Sequence, residues 1–157
     1  MSQDIHDKVA DYISKTRYPF PGQQDWPEGY VAKCNASGPK RGIEHEGGIH
    51  YPDIIIVSPK DEVREVGEVE MTIDPSRIPL LRLGSETSDD NTPTRVRHFF
   101  LYVPAGLEAE AKAMLDEAGI SYAGVRGFTV TDEGIRVVPF VTAGDQYDHQ
   151  VTEPGTV

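Results

Sequence analysis

A chain of 157 residues, 38% hydrophobic and 26% charged, can bury one sizeable core and is too apolar for a disordered polymer. Its 15 basic and 26 acidic side chains leave a formal charge of -11, which argues against avid non-specific DNA binding, because duplex affinity comes largely from Lys and Arg neutralising phosphates. A local basic rim or a bound cation could still hold a strand against that field.

The first predicted element is an amphipathic helix: Ile5, Val9, Tyr12 and Ile13 recur at helical spacing, with Asp4, Asp7 and Asp11 on the other side, and it ends before Pro19. A Pro-, Gly- and Gln-rich loop follows from Tyr18 to Gly29, then a short strand from Tyr30 to Cys34. Asn35 to Gly48, with four Gly and one Pro among polar residues, reads as a mobile loop. Tyr51 to Val57 is nearly all β-branched after Asp53, as expected of a strand buried on both faces. Pro59 and Lys60-Asp61-Glu62 make a turn into a second strand, Val63 to Met71.

Asp74-Pro75 carries the signature of a helix start, and the short helix behind it holds Ile78, Leu80, Leu81 and Leu83. Residues 84 to 95 are expected to be a flexible acidic loop, and Phe99 to Val103 a buried strand. Leu107, Ala111, Met114, Leu115 and Ala118 mark another helix, stopped by Gly119. Tyr122 to Val130 and Ile135 to Val141 alternate around Asp132-Glu133-Gly134 as a hairpin. The order predicts a mixed α/β sheet with helices packed on it, one domain over residues 1–142, and a loose tail over 143–157.

The chemistry concentrates in Pro52-Asp53 and Glu68-Val69-Glu70. If the two strands pair so that Ser58 faces Val63 and Ile55 faces Val66, then Asp53 faces Glu68 with Cβ atoms roughly 5 Å apart. The period of two puts Glu70 on that same face. Three carboxylates packed this closely repel one another unless a divalent cation binds, one carboxyl is protonated, or basic side chains intervene. Carboxylate oxygens are hard ligands suited to Mg²⁺. The plainer reading leaves Glu68 or Glu70 on a solvated sheet edge.

A Pro-Asp opening an apolar strand, followed one hairpin later by an acid, one residue and a third position, resembles the PD-(D/E)XK nuclease superfamily. The element order through Val130 also resembles that superfamily's α-β-β-β-α-β, restriction endonuclease-like core, here with a C-terminal hairpin. The resemblance implies a Mg²⁺- or Mn²⁺-dependent phosphodiesterase acting on DNA, with Asp53 and Glu68 as metal ligands. Glu70 stands where the family usually has its catalytic Lys, and would ligate the metal or orient the water. Some restriction enzymes of the superfamily place Glu there and remain active. A basic group could come instead from Lys33, Lys40, Arg41, Arg95, Arg97 or His98. The alternative is a catalytically degenerate domain serving as a protein-interaction or regulatory module. With no dedicated DNA-reading domain in this length, a homodimer or a partner protein would supply target selection. A DNA-mimicking role ranks last, because the acids are interspersed with basic residues.

Other patterns count for less. Glu44-His45-Glu46-Gly47-Gly48-Ile49-His50 is a near miss of the zinc protease signature: the histidines are five apart and the glycines weaken a helix, although Glu44 or Glu46 could add a ligand beside Asp53. His6 and His149 read as surface residues, and Trp26 with Tyr18, Phe20 and Tyr30 as a cover over one end of the core, with base stacking the less common alternative. Phosphate-loop and nucleophile-elbow patterns are missing. Cys34, the one cysteine, excludes an internal disulfide and reads as a buried thiol. With no signal-peptide pattern and no apolar run near the ~20 residues that span a bilayer, the expected setting is the cytoplasm.

Overall fold

The computed structural model describes residues 2–17, 29–88, 90–91 and 96–142. The expected loop over 18–28, the side chains of Tyr18, Phe20, Trp26, Arg95 and His149, and the tail over 143–157 lie outside them. In chain order the elements are α1 (Ser2–Arg17), β1 (Val31–Cys34), the 3-10 turn η1 (Asn35–Ser37), β2 (Ile43–His45), β3 (Gly48–His50), β4 (Ile54–Val57) and β5 (Val63–Val69). Then come the 3-10 turn η2 (Pro75–Arg77), α2 (Ile78–Thr87), β6 (Asp90–Asn91), β7 (Val96–Arg97), β8 (Phe99–Pro104), α3 (Glu108–Ala118), β9 (Gly124–Thr131) and β10 (Gly134–Thr142).

Six strands form one mixed sheet in the order β1-β4-β5-β8-β9-β10. β1, β4 and β5 run antiparallel, β8 and β9 join parallel, and β10 returns antiparallel. Alternation along the strands feeds two separate cores. On one face Val9, Ala10 and Ile13 of α1 pack with Ile54, Val69, Phe100, Tyr102 and Phe128. On the other, Leu81 of α2 and Ala111, Met114 and Leu115 of α3 pack with Ile55, Val57, Val66, Phe99, Leu101 and Val103. The sheet is therefore covered by helices on both sides, which is why its central strands are apolar at successive positions.

Two expected loops carry structure. The glycines of Asn35–Gly48 do not leave it irregular: Ile43 pairs with His50 and Glu44 with Ile49 in a small hairpin. Gly48 takes a φ of +122°, so the glycines close this turn. Between Gly84 and Thr87 the expected acidic loop is the last turn of α2, and Asp90 pairs with Arg97 beyond it. The helix runs on because Gly84 and Ser85 are buried against the sheet. Asp74 caps as anticipated, its Oδ1 accepting from Ser76 N at 3.0 Å, but the capped turn is η2, which leads into α2. Gly119 ends α3 in the left-handed region, φ 70°.

Gly84 sets how closely α2 approaches β5. A Cβ there would lie 3.0 Å from Val66 Cγ1 and 3.1 Å from Phe99 Cε1. Gly84→Val should therefore push α2 off the sheet and cost about 1–3 kcal/mol, lowering the melting temperature by about 2–4 °C for each kcal/mol. An unchanged thermal melt would disprove this close packing.

Candidate functional site

The β4–β5 pairing sets the site. Ile54 faces Gly67, Ile55 faces Val66 and Ile56 faces Glu65, the register expected from sequence. Nearer the turn the expected Ser58–Val63 pair is absent: Val57 faces Val63, and Ser58 N bonds Glu62 O at 2.9 Å. Asp61 enters the left-handed region there, φ 65°, and Arg64 is the extra residue of a bulge. The bulge absorbs the one-residue error on the turn side, so it does not propagate to the acidic end.

At that end β4 stops before its partner does. The N–H of Val69 therefore has no main-chain acceptor on β4, and Asp53 Oδ2 takes it at 2.8 Å. Asp53 N in turn points at Glu68 Oε1, 3.4 Å away. Asn35 fixes this segment from behind: Asn35 N donates to Asp53 O at 3.0 Å, and its side-chain amide donates to Pro52 O at 2.6 Å. Glu70 is pinned on the other flank, where Glu70 N donates to Tyr102 O at 2.9 Å. Asp53, Glu68 and Glu70 thus meet at one end of the hairpin, with side-chain exposures of 14%, 1% and 9%.

Each carboxylate has a basic partner from a different element. His6 of α1 places Nε2 3.1 Å from Asp53 Oδ2. His50, at the end of β3, sits with Nε2 2.7 Å from Glu68 Oε2. Arg77 of η2 grips Glu70 with Nε at 3.2 and 3.1 Å from its two oxygens and Nη2 at 3.0 Å from Oε2. One sequence reading needs correction: His6 is not an idle surface residue. His50, from the segment that only approximates the zinc signature, contacts Glu68. Glu44 and Glu46 are exposed on the β2–β3 hairpin, outside this cluster.

Three of the basic residues expected near the site are engaged elsewhere. Lys40 Nζ donates to Cys34 O, Arg41 pairs with Asp61, and Arg97 Nη1 donates to Ser88 O. Arg77, which the sequence reading missed, comes instead. The signal for it was modest: a basic residue closing the capped Asp74-Pro75 turn, seven positions after Glu70. Cys34 is buried, as expected.

Burial raises Glu68 well above the usual carboxylate range, and the charges of Asp53 and Glu70 push it further, against the pull of Arg77. Burial also raises Glu70, while Arg77 restrains it. His50 is lowered by burial and by the Arg77 charge. Burial thus opposes charge on both members of the Glu68–His50 contact. Arg77 is pulled down by burial yet raised overall by Glu70, Glu68 and Asp53. His6 moves the other way from His50: its bond to Asp53 outweighs burial and raises it from 6.5 to about 9, with Asp7 adding to the effect.

That shift has a testable sign. A histidine raised on folding stabilises most below its unfolded value and loses that contribution as pH climbs through its folded value. The metal-free protein should lose stability between pH 6.5 and 9, and the His6→Asn protein should lose less over that window. Proton NMR should find His6 titrating near 9 and His50 below 6.5. A His6 midpoint at the ordinary value would exclude the Asp53 contact.

Among the described residues, no set of three or more His, Cys, Asp or Glu side chains stands as a ready-made metal cage. The donors nevertheless suit a hard cation. Asp53 meets His6 and Val69 N through Oδ2, which leaves Oδ1 outside those bonds, while Glu68 Oε1 faces only the Asp53 N–H at 3.4 Å, and the charge of Asp53 burdens Glu68. Glu70 is less suited, since both of its oxygens accept from Arg77. None of the helices among the described residues is long and apolar enough to cross a membrane. No family model, no curated protein and no solved structure matches the chain.

Proposed function

We propose that the chain is a Mg²⁺- or Mn²⁺-dependent phosphodiesterase acting on DNA in the cytoplasm, built on a PD-(D/E)XK-type core. The observation that carries this reading is the junction of Asp53 and Glu68, two carboxyls from adjoining strands interacting at the buried end of one hairpin. The succession α1, β1, β4, β5, α2, β8, with three antiparallel strands and then a parallel one, supports it.

Asp53 and Glu68 would hold the ion. Such an ion would supply Lewis-acid polarisation of the phosphate and charge stabilisation for the attacking water and the departing oxygen. In the hydrolysis the water oxygen bonds to phosphorus and the phosphorus–oxygen bond to the leaving sugar breaks. The leaving oxygen takes a proton from solvent, and the water gives its proton to solvent. Glu70 completes the site beside them. The net charge of -11 requires that DNA be engaged locally, and a second copy or a partner protein would present it.

One observation favours the alternative, a catalytically degenerate domain used as a regulatory or protein-interaction module. His6, His50 and Arg77 already relieve the three acids without any ion. Thermal melting during Mg²⁺ or Mn²⁺ titration separates the two readings, because an ion bound only by the folded state raises the melting point. Stabilisation lost in Asp53→Asn and Glu68→Gln, together with cleavage of plasmid or branched DNA, supports the enzyme. No stabilisation and no cleavage would leave the module.

A further inference from the structure

We propose that Arg77 supplies the positive charge at the scissile phosphate that a lysine at position 70 would have supplied, and that Glu70 is the residue that positions Arg77 rather than a third metal ligand. The inference rests on the phosphodiesterase reading above and deepens it by naming the phosphate-binding group.

The bonding pattern divides the guanidinium in two. Its Nε and Nη2 edge is spent on Glu70, whose two oxygens are both occupied. Nη1 donates no hydrogen bond among the described residues, and the side chain keeps 33% exposure while Glu70 keeps 9%. One edge is therefore anchored in the protein and the other is open to a ligand. Arginine is suited to such a split, because its five N–H donors sit in one rigid plane and can engage two oxyacids at once.

The anchoring continues behind the side chain. Arg77 N donates to Asp74 O at 3.0 Å in the capped turn η2, and Arg77 leads directly into α2, which Gly84 seats closely on β5. The guanidinium is thus held relative to β5, which carries Glu68 and ends just before Glu70. Because arginine stays protonated, it cannot take the water's proton. What it offers is charge and N–H donors to a non-bridging phosphate oxygen as negative charge grows there. The exchange of one lysine for a glutamate–arginine pair keeps a cation at the site while moving its backbone from the residue after β5 to the start of α2.

The test reads metal binding and cleavage separately. Mn²⁺ affinity would be measured by calorimetry, and kcat and KM on plasmid DNA, for wild type, Asp53→Asn, Glu70→Gln, Arg77→Gln and Arg77→Lys, each checked for folding by thermal melting. Arg77→Gln should lower kcat about 10²- to 10³-fold with Mn²⁺ affinity close to wild type. Arg77→Lys should recover part of that loss. Glu70→Gln should keep Mn²⁺ affinity but lower kcat, whereas Asp53→Asn should lose the ion. Unchanged kcat in Arg77→Gln overturns the assignment, as does a Glu70→Gln protein that loses Mn²⁺ as fully as Asp53→Asn. If wild type binds no Mn²⁺, or binds it and cleaves nothing, the underlying reading fails instead and takes this one with it.

Discussion

Replacing Asp53 with asparagine should abolish stabilisation by Mg²⁺ or Mn²⁺ and lower phosphodiester cleavage by at least about 10²- to 10³-fold, without unfolding the protein. The reasoning starts from what Asp53 does for the backbone. Its Oδ2 takes the Val69 N–H at 2.8 Å, and the amide oxygen of asparagine can take the same bond. The strand end should therefore survive. Negative charge is what disappears, and a hard cation facing a neutral amide and a single carboxylate loses much of its attraction. The same change should let His6 fall back from about 9 toward its ordinary value, since the Asp53 bond is the main cause of its rise. NMR of His6 thus reports that the substitution reached the intended contact, independently of activity. Metal stabilisation equal to wild type in this variant would remove Asp53 from the ligand set.

Truncating Leu101 to alanine should cost about 2–5 kcal/mol of stability. Leu101 is fully buried in β8, the strand between β5 and β9. It pairs with Glu68 on one side and Val125 on the other. The cavity it leaves would therefore open beside the acidic cluster as well as in the core under α2 and α3. Melting should drop by about 2–4 °C per kcal/mol lost, and urea denaturation would give the free energy directly. Water entering next to Glu68 should also ease the burial that holds its carboxyl high. A loss under about 1 kcal/mol would contradict the packing described for β8.

Much of the architecture was legible before any coordinates. The β-branched run at Ile54–Val57 and the Phe99–Val103 run are strands because their side chains pack on both sheet faces, which is a local preference visible in sequence. Helix ends at Asp74 and Gly119 were equally readable, since caps depend on residue type and nearest neighbours. The hairpin register at Ile55–Val66 was right although the turn was not, because the buried faces constrain the middle of the strands more tightly than the loop does. Less visible were the β2–β3 hairpin and the last turn of α2. Glycine there looks like a breaker, yet one glycine closes a turn and another permits close packing.

The sequence alone determined the pairing of Ile55 with Val66, because the buried faces of the two strands fix that register, and its extension by the strand period made Asp53 opposite Glu68 with Glu70 on the same face an expectation. Only the tertiary structure decided what answers their charge. His6 comes from a helix at the start of the chain, His50 from a small hairpin and Arg77 from a turn after β5. No local pattern encodes those meetings, since they depend on how separate elements pack around the sheet, and electrostatic pairing acts through space rather than along the chain.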